Sequence, residues 1–239
     1  MPVCGIIILS VKSYDLANAS TEISKISDKK TVILPLLNGV DIYERIREHL
    51  HTGVVLQSCA WVGTHIESPG VIYQKGGNCK ISIGNDPMFP DLYPESLLNL
   101  LKDSKIDFTL EDNIKISIWS KYIFIAAFGL VTAAYDKTLG EVLEDPKLSK
   151  LTMSIMREIE EIAKRINIPL SQDIVETSFL QAKQFPHETK TSLQRDVESK
   201  GKLNEGDLFG GTLIRYGEEL KISTKNTQKV YQILLRKFE

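Results

Sequence analysis

Hydrophobic and polar positions follow two different rhythms along this chain. In the first half, short apolar runs such as 5–11 (GIIILSV) and 31–37 (TVILPLL) alternate with stretches whose apolar residues have helical spacing. An apolar run of this length predicts a strand buried on both faces, as in a parallel sheet covered by helices. Alternation of such strands with helices is typical of an α/β domain. We predict strands at 5–11, 31–37, 53–60 and 107–110, and helices at 15–26, 40–50 and 94–102.

Between residues 61 and 84 the pattern changes to short β-rich pieces, VIYQKGG and KISIG, which are punctuated by glycine. This pattern indicates a hairpin or edge strands. From about residue 112 the pattern is helical throughout. The segment 114–134 is hydrophobic on nearly all sides, which predicts a helix in the centre of a bundle. The pattern therefore predicts an α/β domain at 1–111 and an all-helical domain at 112–239, with further helices from 146 onward, at 172–183, 191–199, 205–219 and 224–238.

Composition narrows the functional classes. The 239 residues are 42% hydrophobic and 25% charged, with a net charge of −2. A charge this small argues against nucleic acid or an anionic membrane as a partner. We see no apolar run that approaches the roughly 18 to 20 residues of a membrane-spanning helix. No basic residue precedes the first apolar stretch, which makes a poor secretory signal. The cysteines, interpreted as reduced thiols of a cytoplasmic protein, are Cys4, Cys59 and Cys79.

Polar residues follow the first two predicted strands. Lys12 comes after the first strand, and Asn38-Gly39 comes after the second. Ligands of open α/β sheets bind beyond the carboxyl ends of the strands, so Lys12 is well placed for an anion and Asn38 for a carbonyl or hydroxyl group. Gly39 would let the backbone approach a ligand closely. The alternative is that Lys12 is a surface charge and Asn38-Gly39 merely a turn.

Lys121 is a cation within the strongly apolar segment IWSKYIFIAAFGLVTAA. One interpretation is structural, because a lysine stem can lie along apolar surface while its ammonium group reaches water. The other is a lysine held in a cleft as a proton donor or an anion anchor.

A second group of candidates lies in SLQRDVESKGKLNEGDLFGG, which contains Ser192 and Glu205. Asn204 can cap a helix, and acidic residues favour a first helical turn, so capping alone could explain the acidic run. The histidines show no metal-ligand spacing, and we expect no metal site.

One familiar motif is absent from the sequence. A dinucleotide-binding sheet usually has a GxGxxG turn between its first strand and first helix. The pairs Gly76-Gly77 and Gly210-Gly211 do not follow a strand and open a helix in that order. The chain also begins almost directly in a buried strand. We therefore expect an incomplete sheet, from which N-terminal strands are missing.

The motifs VKSYD, LLNG, IWSK and SLQRDVESKGKLNEGDLFGG, in this order, resemble those of the ketopantoate reductases (2-dehydropantoate 2-reductases). The resemblance covers essentially the whole chain, beginning at the fourth strand of that family's cofactor domain. It implies a partial Rossmann domain followed by a helical domain like the C-terminal domain of 6-phosphogluconate dehydrogenase. It also implies NADPH as cofactor, a small 2-oxo acid as substrate and a homodimer. The implied reaction reduces ketopantoate to pantoate, on the route to pantothenate and coenzyme A.

The resemblance also implies roles for individual residues. Lys12 would contact the nicotinamide end of the cofactor, and Asn38 would contact both cofactor and substrate. Lys121 would be the general acid that protonates the developing alkoxide, besides binding substrate. Ser192 would bind the substrate carboxylate or hydroxyl, and Glu205 the nicotinamide ribose.

Three positions depart from the family pattern. Where family members carry substrate-binding asparagines, this chain has Ile125, Gly129 and Leu139. An isoleucine cannot hydrogen-bond a substrate hydroxyl, and such a loss discriminates strongly among substrates. The alternatives to a ketopantoate reductase are therefore a reductase of another 2-oxo acid and a non-catalytic remnant that serves ligand binding or oligomerisation.

Overall fold

The structure of the chain is a computed structural model that describes residues 2–74, 79–199 and 203–237. The chain forms two compact units, Met1–Ile118 and Trp119–Glu239. The unit boundary falls inside a helix, a few residues after the position at which the sequence predicts a new domain. Two sequence-based features, the Gly76-Gly77 pair and the predicted helix end at Phe238, lie outside the described residues.

A parallel sheet forms the beginning of the first unit, as predicted. Its strand order is β1-β2-β3, and both pairings are parallel. Ile6 pairs with Val32 and Leu9 with Pro35, so the carboxyl ends of β1 and β2 are neighbours. The connecting helices are shorter than the sequence predicts. The elements are β1 (Ile6–Leu9), α1 (Leu16–Ser24), β2 (Val32–Pro35), α2 (Ile42–Arg47) and β3 (Val54–Val55).

The predicted single strand at 53–60 is wrong, because the chain divides there into two strands of different sheets. Val54 and Val55 pair with β2, whereas Gln57 to Trp61 pair in antiparallel fashion with β7. An apolar run shows that a segment is buried but not where its pairing partner changes. A hairpin is present between residues 61 and 84 as a separate two-stranded sheet, but it joins Thr64–Ser68 to Val71–Gln74, and the KISIG segment pairs with other strands. The elements are β4 (Gln57–Trp61), β5 (Thr64–Ser68), β6 (Val71–Gln74), β7 (Lys80–Gly84), α3 (Glu95–Asp103) and β8 (Phe108–Leu110), which pairs in parallel with β7.

A fully buried carboxylate, that of Asp86, links several parts of the first unit. It forms an ion pair with Arg47 and accepts a hydrogen bond from the Tyr43 hydroxyl at 2.8 Å. The backbone amides of Val55 and Met88 donate to it at 2.7 and 2.9 Å. Because Arg47 and Tyr43 lie on α2 and Val55 on β3, this cluster fixes the helix against the sheet.

The second unit is helical, which confirms the predicted helical half. It holds most of α4 (Ile114–Tyr135), followed by α5 (Leu139–Glu144), α6 (Pro146–Arg165), α7 (Ile174–Gln181), α8 (Ser192–Glu198), a π-helical turn (Asp207–Gly211), α9 (Thr212–Leu220) and α10 (Lys225–Leu235). Helix α5 was not predicted. Its sequence signal is the capping box of Thr138 and Glu141, in which each side chain bonds the other residue's backbone amide.

A buried carboxylate also joins two elements of the second unit. Glu158, in the middle of α6, accepts four hydrogen bonds from the start of α10. Two come from the backbone and side chain of Asn226, at 2.9 and 2.8 Å, and two from those of Thr227, at 3.0 and 2.7 Å. These backbone amides belong to the first turn of a helix, where an acidic group is electrostatically favoured.

The statement that no apolar run reaches membrane-spanning length needs correction. Helix Ile114–Tyr135 has 22 residues, and its most apolar 18-residue window has a mean hydropathy of 1.6, which is long and apolar enough to span a membrane by length and composition alone. In the structure, 67% of its most apolar window is buried inside the protein, as in the core helix of a bundle. An uninterrupted apolar run is not required for a high mean hydropathy, and the lysines of this segment interrupt the run while the average stays high.

Candidate active site

The first unit places Lys12 and Asn38 on neighbouring loops. Both loops leave the carboxyl ends of paired parallel strands, since Leu9 lies opposite Pro35 and the amide of Leu36 donates to the carbonyl of Leu9 at 2.7 Å. Both side chains are partly exposed. The strand pairing confirms that these loops share one edge of the sheet, which is where open α/β sheets bind ligands.

Local geometry explains the sequence of both loops. Lys12 has an extended backbone and begins a short 3₁₀ turn, in which the amide of Asp15 donates to its carbonyl at 2.9 Å. Gly39 has φ of 125°, a conformation that other residues rarely adopt. A third polar residue, Ser58, was missed by sequence reasoning, and its hydroxyl donates to the carbonyl of Pro35 at the end of β2. Ser58 was missed because it lies in β4, just after the point at which the chain changes from one sheet to another, and that change was not predicted.

In the second unit, Lys121 is partly exposed and directly precedes the largely buried part of α4, residues 122–134. From Tyr122 to Ala134, Ile125 is the one residue with partial exposure. Residues four apart on a helix lie on the same face, so Lys121 and Ile125 form one accessible strip on α4. A ligand that reaches the ammonium group of Lys121 on this strip therefore meets an aliphatic side chain one turn further along.

Ser192 lies exposed in the first turn of α8, and α8 packs against the second half of α4. The hydroxyls of Thr132 and Thr191 hydrogen-bond at 2.7 Å. A Cβ added at Gly129 would lie 3.7 Å from the Cβ of Leu193. Gly129 is about 12 Å from Lys121 along the helix axis. The packing of α8 thus brings Ser192 to the same helix as Lys121, about two turns away.

Glu205 is buried, with 5% exposure, just before the π-helical turn. The side chain of Asn204 accepts from the amide of Gly206 at 2.9 Å, but the π turn begins after Gly206 and has no side-chain cap, so Asn204 does not cap it as predicted. The regular helix predicted from 205 is wrong for its first turn, where the amide of Thr212 donates to the carbonyl of Asp207 in π register. Such turns are rare and occur frequently at functional sites.

The glycines of the EGDLFGG segment explain how this turn packs. A Cβ at Gly210 would lie 2.5 Å from the ring of Tyr231, and one at Gly211 would lie 2.1 Å from the carboxylate of Asp207. That carboxylate pairs with Arg215 at 2.7 Å. Burial, with a smaller effect of Asp207, raises the pKa of Tyr231 above its ordinary value. At Gly210 a side chain would therefore meet the fixed base of Tyr231, whereas at Gly211 it would have to displace the half-exposed carboxylate of Asp207.

Tyr122 is the main residue of this region that sequence reasoning missed. Its ring is buried, and its hydroxyl donates to the carbonyls of Leu208 and Phe209 in the π turn, at 2.8 and 3.1 Å. The signal was available, because a tyrosine in a fully apolar helix needs a hydrogen-bond partner for its hydroxyl. In the described ranges, no three histidine, cysteine or acidic side chains form a metal-binding cluster.

The arrangement of loops and helices has a counterpart among known proteins. Residues 113–238 match the family described as "Ketopantoate reductase PanE/ApbA C terminal", and residues 1–87 match "Ketopantoate reductase PanE/ApbA". The chain belongs to the ketopantoate reductase family. It is therefore a member of an oxidoreductase family that combines an N-terminal parallel-sheet domain with a helical C-terminal domain.

Sequence relatives include oxidoreductases with and without an assigned substrate. An uncharacterized oxidoreductase, YkpB of Bacillus subtilis, is 24% identical over 226 residues, which are 95% of this chain and 74% of the relative. A 2-dehydropantoate 2-reductase of Streptococcus pyogenes is 23% identical over 96% of this chain and 74% of the relative.

Solved structures with the same fold include a PanE/ApbA family ketopantoate reductase from Ralstonia eutropha, with a TM-score of 0.87 and 20% identity over 98% of this chain and 76% of that one. A dimeric ketopantoate reductase from Staphylococcus aureus has a TM-score of 0.85 and 20% identity, over 99% and 78%. A D-mandelate dehydrogenase with bound NADH and anilino(oxo)acetate has a TM-score of 0.87 and 19% identity, over 100% and 77%. The fold is thus shared by ketopantoate reductases and by an enzyme that acts on another 2-hydroxy acid.

Proposed function

We propose that this chain reduces a 2-oxo acid with NADPH, and that the substrate is ketopantoate, which becomes pantoate. The observation that carries the proposal is the position of Lys121, which is partly accessible beside the largely buried segment 122–134 of α4, in the unit that also holds the buried Glu205. Relatives that are 2-dehydropantoate 2-reductases support the choice of substrate.

The residues of the first unit fit the nicotinamide end of the cofactor. A lysine and an amide follow neighbouring strand ends, and Gly39 lets the backbone come close. When bound, the nicotinamide supplies the hydride. Lys12 and Asn38 hold and orient it, and Asn38 also contacts the substrate. NADPH rather than NADH is the family's implied cofactor, whereas the D-mandelate dehydrogenase of the same fold binds NADH.

The residues of the second unit supply the proton and part of the substrate and cofactor contacts. Addition of hydride to the carbonyl carbon breaks the C=O π bond and places negative charge on the oxygen. The Nζ of Lys121, in its ammonium form, stabilises this charge and transfers one proton to the oxygen, which gives the 2-hydroxy acid and a neutral lysine that water reprotonates. Ser192 binds the substrate carboxylate or hydroxyl, and Glu205 binds the nicotinamide ribose.

A second candidate is a reductase of a different 2-oxo acid. Ile125 is the specific observation in its favour, because the accessible strip of α4 next to Lys121 is aliphatic at this point. An aliphatic side chain favours a 2-oxo acid whose substituent is apolar, and offers nothing to the hydroxyl of ketopantoate. Replacement of Ile125 by asparagine should then shift kcat/KM toward ketopantoate, and the absence of a shift would remove this candidate.

We further propose a cytoplasmic homodimer. The dimeric S. aureus ketopantoate reductase of the same fold supports the dimer. Light scattering of the purified chain at several concentrations would give its mass in solution, and a mass of one chain at every concentration would refute the dimer.

The direct test is a titration of chain 1–239 with NADPH and NADH, followed by nicotinamide fluorescence, and then an absorbance assay at 340 nm. Ketopantoate would be compared with 2-oxo acids that carry branched aliphatic or phenyl substituents. We expect saturable binding of NADPH and its oxidation in the presence of ketopantoate. Oxidation with only the apolar acids would favour the second candidate, and binding without turnover of any acid would favour a non-catalytic role.

Lys121→Ala is the accompanying variant. Loss of a general acid lowers kcat by about 10² to 10⁴-fold. Lys115→Ala is the matched control, because Lys115 lies on the same helix and is exposed to solvent. Equal activities of the two variants would contradict the role of Lys121.

A further inference from the structure

Tyr122 connects two segments that carry candidate site residues of the second unit. It follows Lys121 directly on α4, and its ring is 1% exposed. Its hydroxyl donates to the carbonyls of Leu208 and Phe209, at 2.8 and 3.1 Å. Because both carbonyls belong to the π-helical turn, this one side chain fastens α4 to that turn.

The connection continues to Glu205 through the backbone. The amide of Phe209 donates to the carbonyl of Glu205 at 3.3 Å, and the carbonyl of Phe209 accepts from Tyr122. Phe209 therefore connects α4 to Glu205, since its carbonyl accepts from Tyr122 and its amide donates to Glu205. The side chain of Glu205 is 5% exposed.

Aromatic packing holds the same path in place. The ring of Tyr122 lies 6.1 Å from that of Phe209 and 6.1 Å from that of Trp119, and Trp119 lies 5.8 Å from Tyr216 on α9. On the other side of the turn, Gly210 is seated against Tyr231. The turn is thus enclosed by side chains on two sides, and the Tyr122 hydroxyl supplies a directional contact within this enclosure.

We propose that Tyr122 is a positioning residue, which fixes the Glu205 segment relative to the helix of Lys121 through its two hydrogen bonds to the π turn. The proposal rests on the proposed function for its effect on catalysis. Tyr122 itself touches neither substrate nor cofactor in this proposal. It acts because a general acid and a cofactor ligand must keep a fixed separation for hydride and proton transfer to occur together.

Tyr122→Phe removes the hydroxyl and keeps the ring. Displacement of a positioned group lowers turnover by about tenfold to a hundredfold, so we expect a loss of this size in kcat. The KM for the 2-oxo acid should change much less, since the substrate contacts themselves remain. Tyr135→Phe is the matched control, because Tyr135 ends the same helix and makes no contact with the π turn among the described interactions. Its kcat should equal that of the unaltered chain.

A double-mutant cycle separates positioning from a general loss of packing. If Tyr122 acts through Glu205, Tyr122→Phe should lower kcat by less than about twofold in a Glu205→Gln background, since residues that act together are not additive. Losses that multiply in the double variant would overturn the proposal. So would a Tyr122→Phe variant with the kcat of the unaltered chain.

Amide hydrogen exchange of the peptide 203–211 gives a readout that does not require activity. We expect faster exchange of this peptide in Tyr122→Phe than in the unaltered chain or in Tyr135→Phe, with α6 and α10 unchanged. If the unaltered chain reduces no 2-oxo acid, the proposed function fails, and this exchange experiment decides on Tyr122 alone. Unchanged exchange of 203–211 would then refute the positioning role.

Discussion

Each unit contains a buried carboxylate that joins two of its elements, Asp86 in the first and Glu158 in the second, and the two are stabilised differently. In the sheet-containing unit, Asp86 pairs with the guanidinium of Arg47, whose side chain is only 11% exposed. In the helical unit, Glu158 accepts solely from uncharged donors among its described hydrogen bonds, two backbone amides and two side chains at the start of α10. Both carboxylates connect a helix to neighbouring elements. If Asp86 loses its charge, the guanidinium of Arg47 stays buried without a counter-charge, whereas loss of the charge of Glu158 leaves only uncharged donors.

The candidate site residues of the two units are held in correspondingly different ways. Lys12 and Asn38 follow strands whose parallel register fixes their loops side by side. Among the described contacts, the segments of Lys121 and Glu205 are joined by side-chain packing and by the hydroxyl of Tyr122. Backbone pairing therefore positions the candidate residues of the first unit, and side-chain contacts position those of the second.

The largest effect is expected for Asp86→Asn. The change leaves the guanidinium of Arg47 without its counter-charge inside the protein, and breaking a buried pair in this way costs about 3–5 kcal/mol of unfolding free energy. Urea unfolding followed by circular dichroism would measure it. Asp91→Asn, at an exposed position of the same loop, should change stability by less than about 0.5 kcal/mol.

Glu158→Gln is the matched change in the helical unit and should cost less. It weakens four hydrogen bonds to a charged acceptor and removes a favourable charge at a helix start, for a loss of about 1.5–3 kcal/mol. Glu161→Gln on the exposed face of α6 is the control. If Glu158→Gln lowers the unfolding free energy as much as Asp86→Asn, the unpaired guanidinium of Arg47 is not what distinguishes the two sites.

Gly210→Ala tests how far the helical unit depends on close side-chain packing. The new methyl group would meet the Cγ and Cβ of Tyr231 at 2.6 and 3.0 Å, atoms too close to the backbone to move aside. Overpacking of this kind costs about 1–3 kcal/mol. Gly140→Ala also creates a close contact, with the ring of His187, but that half-exposed ring can rotate into solvent. Thermal unfolding should therefore separate the two variants, and equal Tm values would show that the π turn adjusts freely.

The smallest expected effect is a loss of stability at alkaline pH. The pKa of Tyr231 is raised above 10.0, chiefly by burial and also by Asp207. The folded state thus favours the neutral phenol, and the stability contributed by this group is complete below pH 10 and is lost as pH rises through the raised pKa. Between pH 9 and 11, the unaltered chain should lose more stability than Tyr231→Phe, by at most about 0.5 kcal/mol because solvent screens the partly exposed ring.

The matched control for this pH experiment is Tyr93→Phe, at an exposed position of the sheet-containing unit. Its loss of stability between pH 9 and 11 should equal that of the unaltered chain. A Tyr231→Phe variant with the same pH dependence as the unaltered chain would contradict a raised pKa of this phenol in the folded state.

Particular elements show how far the sequence could be interpreted. Apolar runs located β1 and β2, and the parallel register then placed Lys12 and Asn38 at one edge of the sheet. The same reasoning failed at 53–60, where Leu56 separates two strands that belong to different sheets. Hydrophobicity reports burial, and residues 53–57 are buried without interruption across that change.

The helical half shows a similar division. Periodicity predicted most helices, and the motif with Ser192 and Glu205 was recognised from its residue order. The length of α4 was predicted to within one residue, whereas its capacity to pass for a membrane-spanning helix and the short helix α5 were not anticipated. The capping-box residues of α5 can be recognised in the sequence. A capping box is a short local motif, however, and it does not include the periodic apolar residues by which the other helices were predicted.

The sequence by itself determined the parallel α/β beginning, the helical second half and the residue types that identify the family, because these depend on local periodicity and on motif order. Only the tertiary structure decided that residues 207–211 wind as a π turn, that Gly210 must accommodate Tyr231 and that Tyr122 fastens this turn to the helix of Lys121. These contacts join residues far apart along the chain. Their energies depend on distances of a few tenths of an ångström, which no pattern of neighbouring residues encodes.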